Sequence, residues 1–352
     1  MRRYVIIGTG AIGGTIGGRL AEHGVPVAWV SRGEHAAVLA RDGLTLRTPR
    51  ATYQVCAPVW TAPEEADLGP GDVLVLATKL HQAGAALAAW ADATVRDEHG
   101  VVGTAGETLP VVTATNGLAG EDLALRYFAR VYAAAVWCPA THVRPGEVVA
   151  RYDGDSGIFF LGRYPRAQPA DALARAIADD WSGAGLRVPL PDDVMAWKRR
   201  KLVANMGNAV DALIVPGDGA AALTRACRKE AEAALAASGE PVVSSAKEKA
   251  LGASAPRTAA VDGAPEEVGS STFQSLARRT GTIETDYLNG EIVRLGRLHG
   301  VPTPVNAALA SLARVAAASG AAPRSIPAAD VEAVLRRTAA YREQSSREEI
   351  RG

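Results

Sequence analysis

The chain has no excess of charge of either sign. Its 352 residues include 38 Lys and Arg and 38 Asp and Glu, so the formal net charge is zero. A nucleic-acid-binding protein needs a basic surface, and so does a protein that binds an anionic membrane. The composition therefore predicts no nucleic-acid partner and no membrane partner.

Cysteine is scarce as well. The chain has 3 cysteines, Cys56, Cys138 and Cys227, which lie far apart and form no C-x-x-C pair. Disulfide frameworks and zinc sites need several cysteines at short, regular spacing. We therefore expect neither a disulfide nor a bound metal, and a reducing compartment suits this composition.

Long apolar runs are missing too. No uninterrupted apolar stretch reaches the roughly 20 residues that a membrane-spanning helix needs. A strand is already predicted from residue 4, which leaves no room for a signal peptide before it. These absences together predict a cytoplasmic protein.

The N-terminal stretch contains the most informative pattern. Two short apolar runs, residues 4–7 and 27–30, have the length and β-branched content of buried strands. Between them a G-x-G-x-x-G turn opens a predicted helix, an order typical of a dinucleotide-binding unit in which turn and helix N-terminus hold the pyrophosphate. The alternative is an ordinary Gly-rich turn. The candidate cofactor-binding residues are Gly8, Gly10, Ala11, Ile12 and Gly13.

The end of the second strand selects the form of the dinucleotide. An NAD site usually has Asp or Glu there, which accepts hydrogen bonds from the ribose hydroxyls. Here the strand continues into Ser31-Arg32-Gly33, and no carboxylate follows before Glu34. An acid would repel a 2′-phosphate, whereas Arg presents a planar fork of donors that matches one. NADP (NADPH) is therefore predicted over NAD, unless Arg32 is only a surface residue.

Further apolar runs predict more strands of the same parallel sheet. One run is followed by Lys79 and Gln82 and the next by Asn116, and ligands of such sheets bind at the carboxyl ends of the strands. We therefore count Lys79 and Gln82 among the candidate cofactor-binding residues. The runs are residues 73–77, 110–114 and 131–137.

Beyond Pro189 and Pro191 the pattern changes from strands to Ala-rich helices. The predicted fold class is α/β, with an N-terminal Rossmann-type doubly wound sheet followed by an all-α C-terminal domain. We predict an NADP-binding domain at 1–188, a Pro-rich linker at 189–193, and a helical substrate and dimerisation domain at 194–352.

Weaker patterns predict the remaining elements. In the first domain we expect an edge hairpin at 44–47 and 53–60, a surface loop at 96–109, an antiparallel pair at 148–150 and 158–161, a strand at 186–188, and helices at 34–42 and 171–181. In the second we expect helices at 194–213, 220–238, 270–279, 282–299, 306–318 and 327–342, then a frayed tail at 343–352.

The helix predicted at 194–213 carries a second group of candidate site residues. At about 100° per residue, Lys201, Asn205 and Asn208 project from one narrow face among small and apolar neighbours. A solvated face would carry mixed charges, and a buried face would avoid two amides and an ammonium without partners. A wall that faces a substrate accommodates all three, but a surface stripe with Lys201 extended into solvent also fits the spacing.

Together these motifs resemble those of the ketopantoate reductases (2-dehydropantoate 2-reductases) over nearly the whole chain. An ordered series of matches is more specific than any single motif, and it favours a substrate-facing Lys201. The matches are the turn at 8–13, Arg32, Lys79 with Gln82, Asn116-Gly117, Trp197 with Lys201-Leu202 and Asn205, Ser270-Ser271, Glu284 with Asp286 and Asn289-Gly290, and Thr303-Pro304 with Asn306.

The resemblance implies an NADPH-dependent reduction of a 2-oxo acid to a 2-hydroxy acid. The first expectation is 2-dehydropantoate to (R)-pantoate in pantothenate and coenzyme A biosynthesis. Lys201 would be the general acid, and Glu284 would bind the distal hydroxyl of the substrate, unless it is a helix-surface acid. Asn116 would orient the nicotinamide ribose and the substrate. The other implied substrate-binding residues are Asn205, Asn208 and Ser271.

Two departures from the family pattern concern the substrate. A second helix Asn is usual where this chain has Ala209, and Asn208 stands one position earlier. The loop that follows is Pro216-Gly217-Asp218-Gly219, where many members have an Asn that contacts substrate. Because both departures affect substrate recognition, a paralogous reductase of another 2-oxo acid or imine stays open.

A non-catalytic NADP-binding sensor is a third alternative. It would keep Gly8, Gly10 and Gly13 but would not need Lys201 and Glu284, so their joint presence counts against it. Apolar surface on the helical domain also leaves a homodimer open.

Overall fold

The computed structural model describes residues 2–254, 257–265, 269–279 and 281–349. The chain forms two compact units. Unit 1 is Met1–Lys201 with Val242–Glu266, and unit 2 is Leu202–Pro241 with Glu267–Gly352. The first division falls after Lys201, within a helix, and not at the Pro-rich segment 189–193, whose role as a linker stays a prediction.

The strands lie in unit 1 and form three sheets. In chain order they are β1 (Arg3–Ile7), β2 (Val27–Val30), β3 (Leu44–Arg47), β4 (Thr52–Val55), β5 (Val59–Trp60), β6 (Asp72–Leu76), β7 (Thr94–Asp97), β8 (Gly100–Thr104), β9 (Pro110–Thr113), β10 (Arg130–Trp137), β11 (Ala140–Arg144), β12 (Glu147–Ala150) and β13 (Ile158–Tyr164). The main sheet has the order β13-β10-β9-β6-β1-β2-β5, and the smaller sheets are β11-β12-β3-β4 and β7-β8.

Helices occur in both units. Those of unit 1 are α1 (Ala11–Glu22), α2 (Gly33–Asp42), α3 (Leu80–Ala91), α4 (Ala105–Thr108), α5 (Ala119–Leu125), α6 (Ala172–Gly183), α7 (Val194–Ala204, which continues into unit 2) and, later in the chain, α10 (Ser245–Ser254). Those of unit 2 are α8 (Asn208–Leu213), α9 (Asp218–Ala237), α11 (Ser271–Ala277), α12 (Asn289–His299), α13 (Pro304–Ser319) and α14 (Ala328–Glu349).

The main sheet is parallel apart from β13, which is antiparallel to β10. Every residue of β2, β6 and β9 is buried. A strand covered on both faces needs a continuous apolar run, which explains why these strands were visible in the sequence. The mixed α/β unit 1 and the helical unit 2 confirm the predicted fold class.

Helix α1 is covered on two sides. Strands β1 and β2 of the main sheet contact one side, and all four strands of the β11-β12-β3-β4 sheet contact the other. Its glycines allow this close approach. A Cβ at Gly17 would lie 2.2 Å from Cζ3 of Trp29, and one at Gly14 would lie 2.7 Å from Cγ2 of Val148. The glycines that follow the G-x-G-x-x-G motif therefore serve packing, and they hold the start of α1 at the edge of the main sheet.

Several predicted strand pairings are wrong. The segment predicted as one strand at 53–60 divides into β4, which pairs with β3 in the four-stranded sheet, and β5, which pairs with β2 in the main sheet. Strands β12 and β13 do not pair with each other, because β12 lies between β11 and β3 while β13 pairs with β10. Residues 186–188 contribute a single bridge, Ile158 to Arg187.

Predictions for some polar segments are wrong as well. The expected surface loop at 96–109 contains the end of the β7-β8 hairpin and the short helix α4, which Thr104 and Glu107 cap reciprocally. The tail expected to fray from 343 continues α14 to Glu349, and residues 350–352 lie outside the described part. Helix α10 was missed.

The helix predicted at 194–213 is interrupted. A 3₁₀ turn, Asn205–Gly207, separates α7 from α8. The argument that put Lys201, Asn205 and Asn208 on one face assumed an uninterrupted α-helix, and that assumption is wrong. The helix expected from 282 likewise begins later, at Asn289, after a 3₁₀ turn at Thr285–Tyr287.

Candidate functional site

The carboxyl ends of four parallel strands meet at one edge of the main sheet. The strand order there is β2-β1-β6-β9. The Gly-rich turn follows β1, Arg32 follows β2, Lys79 follows β6 and Asn116 follows β9. Unit 1 thus brings the predicted cofactor-binding residues to a single edge, the position at which ligands of open α/β sheets bind.

The Gly-rich turn has the geometry of a phosphate cradle. Gly8 has φ +97°, and a Cβ at Gly13 would lie 2.2 Å from the carbonyl oxygen of Gly8, so both positions require glycine. A Cβ at Gly10 would meet no atom within 4 Å, which leaves open space at the N-terminus of α1. No acidic side chain lies in the first turn of α1. The free N–H groups and the helix dipole can therefore bind a pyrophosphate there, and no acidic side chain of that turn repels it.

Arg32 is exposed at the N-terminus of α2. Its guanidinium makes no hydrogen bond or ion pair with any residue of the described part of the chain. The backbone before it is fixed, because the N–H of Ser31 donates to the carbonyl of Trp60 at 3.1 Å. A guanidinium on a fixed stem with unused donors fits a 2′-phosphate.

The other edge residues differ in their exposure. Lys79 is partly buried at the N-terminus of α3, and Gln82 is exposed one turn further along that helix. Asn116 is partly buried and precedes Gly117, which has φ +75°. These positions suit contacts with a bound dinucleotide along the edge of the sheet.

His35 touches the Gly-rich turn, a contact that the sequence did not reveal. Its Nε2 lies 2.6 Å from the carbonyl oxygen of Thr9, and its Nδ1 accepts from the N–H of Gly146 at 2.8 Å. The ring also lies 4.5 Å from the ring of His142. Burial lowers the pKa of His35, with a smaller opposing effect from the hydrogen bond to Thr9.

Lys201 lies near the carboxyl end of β10. Helix α7 is anchored by Trp197, which stacks on Phe160 with ring centroids 3.8 Å apart. One turn later the ammonium of Lys201 lies 5.0 Å from the ring centroid of Trp137, the last residue of β10. The ammonium makes no hydrogen bond or ion pair with other described residues of unit 1. Because β10 adjoins β9, the strand end beside Lys201 is next to the strand that Asn116 follows.

The surroundings of Lys201 lower the pKa of its ammonium. Burial lowers the pKa of its ammonium to about 8, and the negative charge of Glu248 opposes that effect. Burial also raises the pKa of the Cys138 thiol to about 12, so the thiol stays neutral at physiological pH. An amine with this pKa can both donate and recover a proton near neutral pH.

A buried ion pair lies one helical turn before Lys201. Lys198 contacts Glu121, and the two side chains are 2% and 0% exposed. Lys198 Nζ also donates to the carbonyl of Thr115 at 3.0 Å. A run of four cations, 198–201, usually indicates a solvated helix face, so nothing in a single sequence identified this pair.

Unit 2 holds the candidate substrate-binding residues other than Asn116. Asn205 is 7% exposed on the 3₁₀ turn, and Asn208 begins α8. The carbonyl of Asn208 accepts from the hydroxyl of Ser270 at 3.1 Å, and Ser270 caps α11, in which Ser271 is the first residue. Asn208 and Ser271 are therefore brought close together within unit 2, and Ser270 is a connecting residue.

Glu284 is 5% exposed and immediately precedes the 3₁₀ turn Thr285–Tyr287, so it is not a helix-surface acid. Asn289 and Asn306, which the resemblance also singled out, have a structural role. Asn289 Nδ2 donates to Asn306 Oδ1 at 2.9 Å, and both side chains are fully buried. Asn306 Nδ2 donates in turn to Glu230 at 2.7 Å, and Glu230 caps the N-terminus of α13.

Within the described ranges, no group of His, Cys, Asp and Glu side chains could hold a metal ion. No described helix is long and apolar enough to cross a membrane.

The parallel sheet, the Gly-rich cradle and the helical second unit define a dinucleotide-dependent oxidoreductase of the Rossmann type. Within that class the chain belongs to the ketopantoate reductase family. The family model "Ketopantoate reductase PanE/ApbA" matches residues 4–166, and the corresponding C-terminal model matches residues 193–317. The family uses NADPH, which confirms the predicted cofactor and enzyme class. The alternative of a non-catalytic NADP-binding sensor is not confirmed.

Individual relatives cover most of the chain. A 2-dehydropantoate 2-reductase of Caulobacter vibrioides is 28% identical over 90% of this chain and 100% of its own length. One of Mycobacterium tuberculosis is 28% identical over 89% of this chain and 97% of its own.

Solved structures agree on the fold. A PanE/ApbA family ketopantoate reductase of Ralstonia eutropha is 26% identical, with a TM-score of 0.73 over 91% of this chain and 99% of its own. D-Mandelate dehydrogenase, solved with NADH and anilino(oxo)acetate, is 21% identical, with a TM-score of 0.72 over 91% of this chain and 99% of its own. The second likeness concerns the fold alone.

Proposed function

We propose that the chain reduces the ketone of 2-dehydropantoate with NADPH and gives (R)-pantoate, as a step of pantothenate and coenzyme A biosynthesis. Relatives that match nearly full length bear the name of this activity. The observation that carries the proposal is Lys201: an ammonium with a pKa of about 8, near the end of β10 and beside the edge that suits a dinucleotide.

NADPH would be held by unit 1. The N–H groups at the start of α1 and the space at Gly10 would hold the pyrophosphate, and Arg32 would bind the 2′-phosphate. Lys79 and Gln82 would bind along the same edge, and Asn116 would orient the nicotinamide ribose. When bound, the cofactor supplies the hydride.

Lys201 would supply the proton. Reduction of a ketone builds negative charge on its oxygen, and a nearby cation stabilises this charge before protonating it. Lys201 is next to the ring of Trp137 and forms no ion pair with the described residues of unit 1, so its charge is available to an incoming oxygen. Burial lowers its pKa and so makes the ammonium a stronger acid than an exposed lysine.

The residues of unit 2 would recognise the substrate. We assign Ser271 to the substrate carboxylate, Asn205 and Asn208 to its other oxygens, and Glu284 to the distal hydroxyl. The buried position of Glu284 supports this assignment, since an almost fully enclosed carboxylate can discriminate a hydroxyl from a methyl group.

A second candidate is reduction of another 2-oxo acid or imine by the same chemistry. The observation that favours it is the 3₁₀ turn Asn205–Gly207, which follows Lys201 and sets the direction of Asn208. With Ala209 at the usual Asn position, Asn208 need not present its amide as other family members do.

A substrate panel tests both candidates. Purified protein would be assayed with 2-dehydropantoate, other branched and aromatic 2-oxo acids, and cyclic imines, with loss of NADPH absorbance as the signal. The proposal expects the highest kcat/KM for 2-dehydropantoate. A higher value for another compound would support the second candidate, and no turnover of any 2-oxo acid would contradict both.

We also propose a cytoplasmic location and a homodimer. Three separated cysteines suit a reducing compartment. Leu298 and Val315 of unit 2 are each 63% exposed, and exposed apolar side chains favour association between copies. Light scattering of the purified protein would give the oligomeric state, and a monomer mass at micromolar concentration would contradict the dimer.

A further inference from the structure

Unit 1 buries a complete ion pair that the proposed chemistry does not use. Lys198 on α7 and Glu121 on α5 are 2% and 0% exposed, and their charged atoms are in contact. The hydroxyl of Thr113 lies 2.6 Å from the same Glu121 oxygen and 3.1 Å from the carbonyl of Tyr132. The pair is thus the centre of a small polar network inside an apolar core.

A buried ion pair is weak evidence that its purpose is to stabilise the fold. Removing two charges from water offsets most of their attraction, and apolar side chains of similar volume often replace a buried pair without loss. The informative feature is therefore where the pair lies. Lys198 Nζ also donates to the carbonyl of Thr115 at 3.0 Å, so one ammonium joins α7, α5 and the loop after β9.

Both ends of this connection lead directly to proposed site residues. Thr115 precedes Asn116 in the loop after β9, and Lys198 lies one helical turn before Lys201 on α7. Residues three apart on a helix lie on adjacent parts of one face. A displacement of Lys198 relative to Thr115 would therefore displace Lys201 relative to Asn116.

We propose that Lys198 is a positioning residue, whose contacts with Thr115 and Glu121 hold the helix of Lys201 in register with the Asn116 loop. The inference rests on the roles proposed for Lys201 and Asn116. Lys198 does not itself touch the substrate or transfer a proton, because its ammonium is enclosed and bound to Glu121.

Three variants separate positioning from stability. Lys198→Met removes the ammonium and leaves Glu121 without its partner. Lys198→Met/Glu121→Leu removes both charges, which should restore much of the stability but leaves the Thr115 carbonyl without its donor. Glu121→Gln lowers stability but keeps an acceptor for Lys198, and with it the contact to Thr115. Lys229→Met, at an exposed position of α9, is the matched control.

The measurements are the urea midpoint, kcat on the best substrate and the Kd of NADPH, all at a temperature where each variant is folded. Misplacement of a reacting group by about 1 Å can reduce rates roughly 100-fold. We expect the double variant to recover its urea midpoint yet to lose about 10- to 100-fold in kcat, with the Kd of NADPH within about twofold. Glu121→Gln should keep kcat within about threefold despite its lower midpoint.

Recovery of kcat together with the urea midpoint in the double variant would overturn the proposal, because the pair would then be merely structural. If the double variant does not fold, Lys198→Met and Glu121→Gln decide, since equal losses of kcat at equal stability would contradict positioning. Lys201→Met is assayed in parallel. If it keeps full kcat, the proposed function of Lys201 fails; if it is inactive while the double variant is active, only the positioning role fails.

Discussion

The Nε2 atom of His35 lies 2.6 Å from the carbonyl oxygen of Thr9, between the first two glycines of the Gly-rich turn. The other ring nitrogen accepts from the N–H of Gly146, so the proton of the neutral ring is on Nε2 and donates to Thr9. His35 therefore connects α2 to the turn that would hold the pyrophosphate, and it does so as a neutral group.

Stability should consequently fall in mild acid. The folded pKa of His35 is below its ordinary value of 6.5, so its contribution is present above that pH and is lost as pH falls through the folded pKa. We expect His35→Gln, which keeps a donor near the Nε2 position, to reduce the free energy of unfolding by about 1 kcal/mol at pH 7.5. Between pH 6.5 and 5, the free energy of unfolding should decrease less in this variant than in the native protein.

Urea denaturation of the native protein and of His35→Gln at several pH values measures the pH dependence of the free energy of unfolding. Parallel curves from pH 7.5 to 5 would show that His35 makes no contribution to the pH dependence.

Removal of Lys198 should destabilise the protein strongly. Lys198→Ala leaves the Glu121 carboxylate buried without its partner, and breaking a buried pair in this way typically costs about 3–5 kcal/mol. Lys229→Ala on the exposed face of α9 should change the free energy of unfolding by less than about 0.5 kcal/mol. A loss below about 1 kcal/mol for Lys198→Ala would contradict the buried pair.

The cofactor edge could be predicted from the sequence because its signals are local. A buried parallel strand must be continuously apolar, and the Gly-rich turn, Arg32, Lys79 and Asn116 each follow such a strand directly. The register of the parallel sheet then brings them together without any further information.

Long-range pairings could not be predicted in this way. The alternating segment at 44–47 fits either face of any sheet, and β3 joins a second sheet in which Leu44 and Leu46 pack against Gly18 of α1. Lys198 resembles its charged neighbours in sequence, and its partner Glu121 is far away along the chain. The 3₁₀ turn Asn205–Gly207 contains a glycine but no proline, so the sequence does not indicate that the helix is interrupted there.

Arg32 should determine the preference for NADPH. We expect NADPH to be preferred over NADH, and Arg32→Glu to reduce or reverse the preference, because the carboxylate would repel the 2′-phosphate that the guanidinium binds. A charge-assisted hydrogen bond contributes about 1.5–3 kcal/mol, so the ratio of kcat/KM values should change about tenfold or more. Arg41→Glu, at an exposed position on the same helix, is the control. Equal kcat/KM for both cofactors in the unmutated protein would refute this role.

The rate of reduction should depend on the protonation of Lys201. Because only the ammonium can donate a proton, kcat/KM should decline as pH rises through about 8, well below the ordinary 10.5 of lysine. Burial causes the decrease in pKa, and the carboxylate of Glu248 opposes it. Glu248→Gln should therefore move the inflection to lower pH, whereas Glu64→Gln, at an exposed position, should leave it in place. A profile flat from pH 7 to 10 would contradict this assignment.

Lys201→Ala gives the most direct test of the central claim that Lys201 is the proton donor. The measurement is kcat on the best substrate, with the Kd of NADPH by fluorescence on the same preparations. The account predicts a loss of about 10²- to 10⁴-fold in kcat, as for removal of a general acid, with little change in NADPH affinity. Arg199→Ala, two positions earlier on α7, should keep most of the activity; Lys198→Ala is unsuitable as a control because its ion pair is buried. Near-full kcat in Lys201→Ala would contradict the account.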